Sequence, residues 1–210
     1  MGSLVDYAPD GSFGRGGALP HHEHIVPAVV RLLPSQKRLR VLDVGCGNGY
    51  IDNVLAKLGH EVIGLDFDAK AIEVHKRAYP DLDARVYDAE TPLAAICPNG
   101  ADVVLAVEVV EHLYRPARFL EGAREALRPN GHVVLTTPYH GYLKNLAVSV
   151  LGKWDHLFTV EWEEGHIKFF SEATMRRMLT AAGFDEIVFS NAGRLPYLWK
   201  TLVVRARRAR

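Results

Sequence analysis

Cysteine and long apolar runs are scarce in this 210-residue chain. Its two cysteines, Cys46 and Cys97, are too few for a disulfide framework, and their spacing matches no zinc motif. No apolar run approaches the length needed to span a bilayer, and the amino terminus lacks a basic start followed by an apolar stretch. We therefore expect free thiols, no integral membrane insertion and a cytoplasmic location.

An excess of charge of one sign is also absent. The 25 basic and 25 acidic side chains cancel, which removes the broad attraction to phosphates expected of a nonspecific nucleic-acid binder. We therefore do not expect nucleic acid as a partner. Hydrophobic residues make up 48% of the chain and charged residues 24%, which is ordinary for a globular protein, and the length predicts a single domain over residues 1–210.

The most informative feature that is present is a glycine-rich turn directly after an apolar strand. The strand pattern at residues 41–44 continues into Gly-Cys-Gly-Asn-Gly-Tyr at residues 45–50. Glycine brings bare backbone against a ligand, and the helix that follows offers unpaired N–H groups to a carboxylate or phosphate. A dinucleotide-binding fingerprint would need glycine where the chain has Tyr50, which argues against a nicotinamide-dependent oxidoreductase. The spacing predicts another nucleotide-like cofactor.

Strand and helix patterns alternate through the rest of the chain, which predicts an α/β fold with a doubly wound, mostly parallel sheet. The seven predicted strands occupy residues 40–44, 61–65, 84–87, 102–107, 132–137, 186–190 and 201–205. Predicted helices between them occupy residues 50–58, 69–79, 116–127 and 172–182. The second strand ends at Asp66, an acid placed to accept hydrogen bonds from both ribose hydroxyls of an adenosine.

The glycine turn, Asp66 and the segment Glu-Val-Val-Glu-His-Leu at residues 108–113 together resemble class I S-adenosylmethionine-dependent methyltransferases, and especially the O-methyltransferases of ubiquinone biosynthesis. The resemblance covers about residues 40–184. It implies a Rossmann-like fold, S-adenosylmethionine as cofactor, the glycines at its methionine end, Asp88 near its adenine and Val107 beneath its methyl group. The residues that it places at the cofactor are Asp43, Gly45, Cys46, Gly47, Asn48, Gly49, Tyr50, Asp66, Phe67, Asp88, Ala89, Val107 and Glu108.

Catalysis is assigned to His112 and Glu111. Methyl transfer from a sulfonium is an in-line displacement, so the enzyme has to align the acceptor and, for a hydroxyl, remove its proton. The resemblance places His112 near the transferring methyl, where an imidazole with a pKa around 6.5 is a suitable base when a carboxylate holds its other nitrogen. A histidine that only caps the turn below the strand is the alternative.

A metal site is a further interpretation of the same segment. Glu108, Glu111 and His112 stand at positions i, i+3 and i+4, so on a helical turn their side chains converge. Carboxylates with imidazole suit magnesium or another divalent ion, which would acidify the acceptor hydroxyl. The pattern resembles metal-dependent ubiquinone O-methyltransferases and the enzymes that methylate the terminal 2′-hydroxyl of small RNAs, in which a downstream histidine completes the site. His166 is the candidate here, although many relatives with a similar Glu-His pair need no metal.

Two segments are candidate covers for this site. Residues 1–34 form a flap and a short helix, whose histidines at 21, 22 and 24 are assigned surface or cofactor-lid roles. Residues 138–170 follow the fifth strand, at the edge where an open α/β sheet has its ligand crevice, and are the candidate substrate lid. We expect the apolar stripe in this lid to pack on the core; a wall of an acceptor pocket, or a surface for peripheral membrane or partner contact, is the alternative.

The sequence therefore predicts an S-adenosylmethionine-dependent methyltransferase that acts at oxygen on a small aromatic or apolar acceptor. Two alternatives stay open. One is metal-dependent 2′-O-methylation of an RNA end. The other is a non-catalytic domain that binds the cofactor through the glycine turn without transferring its methyl group.

Overall fold

A seven-stranded sheet with helices on both faces forms the body of the protein. The computed structural model describes residues 16–87, 92–155, 165–193 and 195–210. The strands are β1 (Arg40–Val44), β2 (Glu61–Asp66), β3 (Asp83–Val86), β4 (Ala101–Val107), β5 (Leu127–Pro138), β6 (Phe184–Ala192) and β7 (Thr201–Arg208). Their order is β3-β2-β1-β4-β5-β7-β6, and β7 runs antiparallel to both of its neighbours. The predicted mostly parallel α/β sheet is confirmed.

Helices cover both faces because the buried strands are apolar on both sides. They are α1 (His22–Leu32), α2 (Tyr50–Lys57), α3 (Ala69–Ala78), α4 (Pro116–Ala126), α5 (Tyr142–Val150) and α6 (Glu172–Ala181), with a 3-10 turn at Val110–His112. Side chains of α1 and α2 share one core layer with Val41, and side chains of α4 and α6 share the other with Leu42. Successive residues of β1 thus point to opposite faces, as the geometry of a strand requires.

The sheet order creates a crevice at the carboxyl ends of β1 and β4. From β1 the chain builds outward through β2 and β3, whereas β4 pairs with the other side of β1 and starts the second half of the sheet. Connections leave such a switch point in opposite directions and open a space for a ligand between them. The glycine turn after β1 and Glu108 after β4 therefore flank the same crevice.

Three strands are clearly longer than the sequence predicts. The fifth strand begins at Leu127 instead of residue 132, and it continues through Pro129-Asn130-Gly131, although these residue types are typical of turns. Asn130 takes a φ of 63° there, and the pairing with β4 shifts register between Ala101 and Val103. The segment therefore makes the pairing of β5 with β4 irregular without ending the strand. Strands β6 and β7 are also longer than predicted, because they pair with each other from Phe184 to Ala192.

The apolar stripe of the candidate lid does not pack on the core, and that expectation was wrong. Helix α5 has no buried residue. The large apolar side chains exposed on and just after it are Tyr142, Leu143, Leu146, Val150 and Leu151. Burial of a helix face needs a packing partner, and periodicity in a sequence shows that a face is apolar without showing what covers it. Residues 156–164 of the lid lie outside the described residues.

None of the helices in the described ranges is long and apolar enough to cross a membrane.

Candidate functional site

The glycine turn holds three residues in a conformation that favours glycine. Gly45, Gly47 and Gly49 have φ values of 83°, 52° and 77°. A β-carbon at Gly45 would lie 2.4 Å from Val109 Cγ2, so the turn packs tightly against the segment after β4. At Gly47 a β-carbon would meet nothing within 4 Å. The backbone is thus open to a ligand at the middle of the turn and closely packed at its start.

Asp66 is fixed by the backbone of both loops that follow β1 and β2. Its Oδ2 accepts a hydrogen bond from Gly47 N (2.8 Å), and its Oδ1 accepts one from Asp68 N (2.9 Å). Burial raises the pKa of this carboxyl, and the backbone hydrogen bonds from Asp68 and Gly47 oppose that rise. Each carboxylate oxygen has a second lone pair, so Asp66 can still accept from a ligand's hydroxyl groups.

The chain before α1 lies against the glycine turn. Asn48 Nδ2 donates to the carbonyl oxygen of Gly17 (3.0 Å), and the His22 ring stacks on the Tyr50 ring with centroids 4.9 Å apart. His22 is buried, and its Nδ1 accepts from Leu19 N. Burial, followed by the charge of the neighbouring histidine, lowers the pKa of His22 to about 3. His22 is a neutral, buried ring and not a surface residue. Its contact with Tyr50 agrees with the predicted role of this segment as a cover for the site.

The other residues assigned to the cofactor differ in exposure. Asp43, Cys46 and Val107 are buried, and Phe67 is exposed. Burial and then the neighbouring Asp52 carboxylate raise the pKa of Asp43 well above its usual range. Asp88 and Ala89, the residues assigned to the adenine, lie outside the described part of the chain.

Glu108 occupies a strained backbone position at the end of β4. Its φ is 54°, which is uncommon for a residue with a β-carbon and occurs often at functional sites. Thr136 on β5 stabilises this conformation with two hydrogen bonds. Its Oγ1 accepts from Glu108 N (2.9 Å) and donates to Glu108 Oε1 (2.7 Å). Burial raises the pKa of Glu108 to about 7, against the effects of Thr136 and Lys144. No motif in the sequence marks Thr136, because its contact with Glu108 depends on the pairing of β4 with β5.

A substitution at Thr136 should therefore disturb the floor of the crevice. We expect Thr136→Val to weaken binding of S-adenosylhomocysteine about five- to thirtyfold, since loss of a buried hydrogen bond costs roughly 1–2 kcal/mol. Thr136→Ser keeps the hydroxyl and is the matched control. Calorimetric titration of both variants measures the effect, and equal affinity of the valine and serine variants would contradict this role of the hydroxyl.

A cluster of three titratable side chains lies near Glu108: Glu111, His112 and His166. Their ligand atoms lie within 4.8 Å of one another, and the two imidazole rings are 5.0 Å apart. The lid segment is tied to the 3-10 turn because the backbone N–H groups of Ile167 and Lys168 both donate to the Glu111 carbonyl oxygen at 3.0 Å. These two backbone contacts bring His166 beside His112.

The Glu111 carboxyl is the least satisfied polar group of this cluster. It is 0% exposed, and neither of its oxygens has a hydrogen-bond partner among the described residues. Its Oε1 lies 4.0 Å from His112 Nε2. Burial, and then the charge of Glu108, raise the pKa of Glu111 well above its usual range. A buried carboxyl without a partner is costly, so it indicates a site that a cation or a proton completes.

Glu108 does not share this cluster in the described structure. The predicted convergence assumed a helical turn through residues 108–112, whereas the 3-10 turn begins at Val110 and the positive φ of Glu108 precedes it. The Glu108 carboxylate instead bonds Thr136. Of the four residues assigned to a metal, the fold brings three together.

His140 is a further residue near this cluster that the sequence analysis did not single out. Its ring lies 5.0 Å from the ring of Phe169, and burial lowers its pKa to about 4, with Lys144 acting in the same direction. It follows β5 directly, so the one available signal was its place at the carboxyl end of a strand.

Comparison with known proteins identifies the family of the chain. The model of a family described as "Methyltransferase domain" matches residues 21–188. The chain belongs to this methyltransferase family. The match runs from α1 into β6 and so includes the glycine turn, Asp66 and the Glu111 cluster. S-adenosylmethionine is the cofactor of this methyltransferase family.

Individual relatives of the methyltransferase have related names. A protein of Azorhizobium caulinodans named "Ubiquinone biosynthesis O-methyltransferase" is 32% identical over 162 residues, which cover 74% of this chain and 62% of that protein. A protein of Schizosaccharomyces pombe named "Ubiquinone biosynthesis O-methyltransferase, mitochondrial" is 35% identical over 118 residues, or 54% of this chain and 43% of that protein. The methyltransferase thus spans less than two thirds of the length of these relatives.

A solved structure supports the fold of the methyltransferase. Magnesium protoporphyrin IX methyltransferase from Synechocystis PCC 6803, solved with bound S-adenosylhomocysteine, has a TM-score of 0.64 and 21% identity, covering 88% of this chain and 80% of that chain. At this identity the similarity shows the shared fold and does not extend to the acceptor.

Proposed function

We propose that this methyltransferase transfers the methyl group of S-adenosylmethionine to a hydroxyl oxygen of a small aromatic or apolar acceptor. The observation that carries the proposal is the buried, unpartnered Glu111 carboxyl beside His112 and His166, at the carboxyl end of β4. A hydroxyl acceptor has to lose a proton, and a carboxyl–imidazole cluster is a chemical group that can take it. The O-methyltransferase names of the bacterial and yeast relatives support the same chemistry.

The residues around the crevice fit S-adenosylmethionine. The open backbone at Gly47 would receive the methionine end, and the Asp66 carboxylate would accept from the ribose hydroxyls. Val107 and Glu108 would form the floor near the sulfur, with Asp88 and Ala89 near the adenine. When bound, the cofactor supplies an electrophilic methyl group for in-line displacement. The protein's part is to align the acceptor and remove its proton.

His112 is the residue that we place at the acceptor. About 20% of its side chain is exposed, whereas Glu111 is fully buried behind it. His112 would take the hydroxyl proton, and the Glu111 carboxyl would hold and stabilise the protonated imidazole. Glu111 Oε1 and His112 Nε2 are 4.0 Å apart, so this division of roles needs the two side chains to approach each other by about 1 Å to form the hydrogen bond.

The same three residues also fit a divalent cation. Glu111 offers two unpartnered oxygens, and His112 and His166 each offer an imidazole nitrogen within 4.8 Å. A carboxylate with two imidazoles suits magnesium, manganese or zinc to different degrees. When bound there, a cation would stabilise the deprotonated acceptor as a Lewis acid.

Methyl transfer to matched acceptors tests the proposal. We expect S-adenosylhomocysteine to form with catechols and with prenylated catechols, and not with anilines or thiols of the same ring substitution. The reaction is repeated after chelation and after return of magnesium, manganese or zinc. Methylation of the amine series alone would contradict O-methylation. Cofactor binding without turnover on any acceptor would favour the non-catalytic alternative, and turnover on an RNA 3′ end would favour 2′-O-methylation.

The surroundings of the acceptor stay a proposal as well. The exposed apolar face of α5 lies in the candidate lid and is the surface at which an apolar acceptor, or peripheral contact with a membrane, would be expected. A cytoplasmic location and the single-domain division into flap, core and lid also stay predictions. The yeast relative is named as mitochondrial.

A further inference from the structure

A buried hydrogen bond between Asp52 and His75 lies beneath the glycine turn. His75 Nε2 and Asp52 Oδ2 are 2.8 Å apart, and the two side chains are 0% and 1% exposed. When Asp52 is ionised its oxygen can only accept, and the imidazole then donates through Nε2–H. Neither residue belongs to the cofactor-binding or catalytic set described above.

This hydrogen bond joins the two halves of the cofactor site. Asp52 is in the first turn of α2, the helix that begins at the glycine turn. His75 is on α3, the helix that follows Asp66. The side chain of Asp68 caps the start of this helix by accepting from Lys70 N. One contact therefore ties together the two helices whose amino-terminal loops would hold the methionine end and the ribose.

The His75 ring also supports the glycine turn directly. A β-carbon at Gly49 would lie 2.3 Å from His75 Cδ2 and 2.5 Å from its Nε2, so the imidazole fills the space under this glycine. Asp52 in turn lies over Gly64 of β2, where a β-carbon would come within 2.2 Å of Asp52 Oδ2. Two glycines thus leave room for the pair, which packs between the turn and the sheet.

The charges around the pair favour a hydrogen bond over a strong ion pair. Among the described residues, the other ionisable groups near the pair are Asp43 at the end of β1, Cys46 in the turn, Asp66 at the end of β2 and Lys76 on α3. The ring of Tyr79 also meets the His75 ring edge-on, with centroids 5.9 Å apart. Burial raises the pKa of Asp52 to about 7, and burial lowers the pKa of His75. Because several carboxyl groups surround a neutral imidazole, the hydrogen-bond geometry holds the pair together more than an attraction between opposite full charges does.

We propose that Asp52 and His75 are positioning residues for the cofactor: their hydrogen bond locks α2 against α3 and holds the imidazole under Gly49, so that the glycine turn keeps the shape that receives S-adenosylmethionine. The inference rests on the proposed placement of the cofactor at this turn.

Matched variants separate hydrogen bonding from bulk. His75→Leu keeps the volume and loses the donor, whereas His75→Gln keeps an N–H near the position of Nε2. We expect His75→Leu to raise the Kd for S-adenosylhomocysteine about tenfold or more, and His75→Gln to stay within about threefold of the wild type. Asp52→Asn, which still accepts, should behave like the glutamine variant. The KM for S-adenosylmethionine should rise in the leucine variant while the KM for the acceptor stays unchanged.

A variant in which both residues are leucine distinguishes positioning from general stability. Replacement of a buried polar pair by apolar residues is often neutral or stabilising. We therefore expect Asp52→Leu combined with His75→Leu to unfold near the wild-type temperature and yet to bind S-adenosylhomocysteine weakly. Wild-type affinity in this variant, measured well below its unfolding temperature, would overturn the proposal.

Gly64→Ala provides a second test that leaves the pair intact in sequence. Gly64 has no positive φ, so alanine is compatible with its backbone. Its β-carbon would lie 2.2 Å from Asp52 Oδ2 and 3.0 Å from Cys46 Sγ, so Asp52 is the side chain that has to move most. We expect Gly64→Ala and Asp52→Ala each to weaken binding, and the combination to be no worse than Asp52→Ala alone, because both changes break one contact. Additive losses would contradict the coupling.

Three outcomes distinguish failure of the proposed cofactor site from failure of the inference alone. If the wild type does not bind S-adenosylhomocysteine, the proposed cofactor site fails and the inference fails with it. If the wild type binds and His75→Leu binds equally well, the inference alone fails. Stoichiometric zinc in the purified protein, lost on mutation of Cys46, would also overturn it, since Cys46, Asp52 and His75 have ligand atoms within 4.8 Å of one another.

Discussion

Replacing Asp66 by alanine should remove measurable binding of S-adenosylhomocysteine, with a loss of about 100-fold or more in affinity. The carboxylate holds Gly47 N and Asp68 N in the observed structure, and in our proposal it also accepts from the ribose. Hydrogen bonds to a charged group contribute about 1.5–3 kcal/mol each, and about 2.7 kcal/mol corresponds to a 100-fold change in Kd. Alanine would lose the ribose contacts and loosen both loops at once.

The matched control for this variant is Asp83→Ala. Asp83 is an exposed acid on the neighbouring strand β3, where it bonds Arg85. We expect its replacement to leave affinity unchanged. Asp66→Asn keeps one acceptor oxygen and should give an intermediate loss. Calorimetric titration measures all three variants, and binding by Asp66→Ala within a factor of two of the wild type would refute the ribose role.

Replacing His112 by alanine should lower kcat about 100- to 1000-fold while the Kd for S-adenosylhomocysteine stays near the wild-type value. A positioned general base contributes roughly this much to the transfer of a proton. The effect should appear in kcat because the imidazole is placed at the acceptor and not at the cofactor. His60→Ala is the control, since the His60 Nδ1 accepts from Leu39 N at the edge of β1, far from the proposed chemistry.

Substitution of His166 distinguishes the two chemical roles proposed for the cluster, a general base and a cation site. If His112 acts alone as a base, His166→Ala should retain most of the turnover. If the cluster works through a cation, His166→Ala and Glu111→Gln should lose activity to a similar degree, and excess magnesium or manganese should restore part of it. Unchanged turnover in His112→Ala would remove both hypotheses together.

The sequence predicted the sheet and the cofactor turn because both follow from short-range patterns. Alternating apolar segments and helices predict a parallel sheet, and glycine at positions 45, 47 and 49 predicts a backbone with positive φ, which all three residues adopt. The Ser171 cap of α6 is local in the same way, because its side chain accepts from Thr174 N three residues later. Such signals involve residues that are close together in the sequence, so they can be recognised without knowledge of the fold.

The tertiary structure decided the parts of the site that depend on distant segments. Thr136 meets Glu108 because β5 pairs with β4, and this contact turns Glu108 away from the cluster to which its spacing had assigned it. His166 reaches His112 because the lid backbone bonds the Glu111 carbonyl oxygen. Spacing along the chain predicts convergence only when the backbone between the residues is helical, and here it is not.

The sequence by itself determined which chemical groups are available and which strand ends carry them. It determined the nucleotide-like turn, the acid after the second strand and the Glu-His segment after the fourth. Only the tertiary structure decided which of those groups share a site, that Asp52 and His75 support the turn from beneath, and that the face of α5 is exposed. The physical reason is that hydrophobic periodicity and turn chemistry act over a few residues, whereas burial and hydrogen-bond partners are set by strand order and packing across the whole sheet.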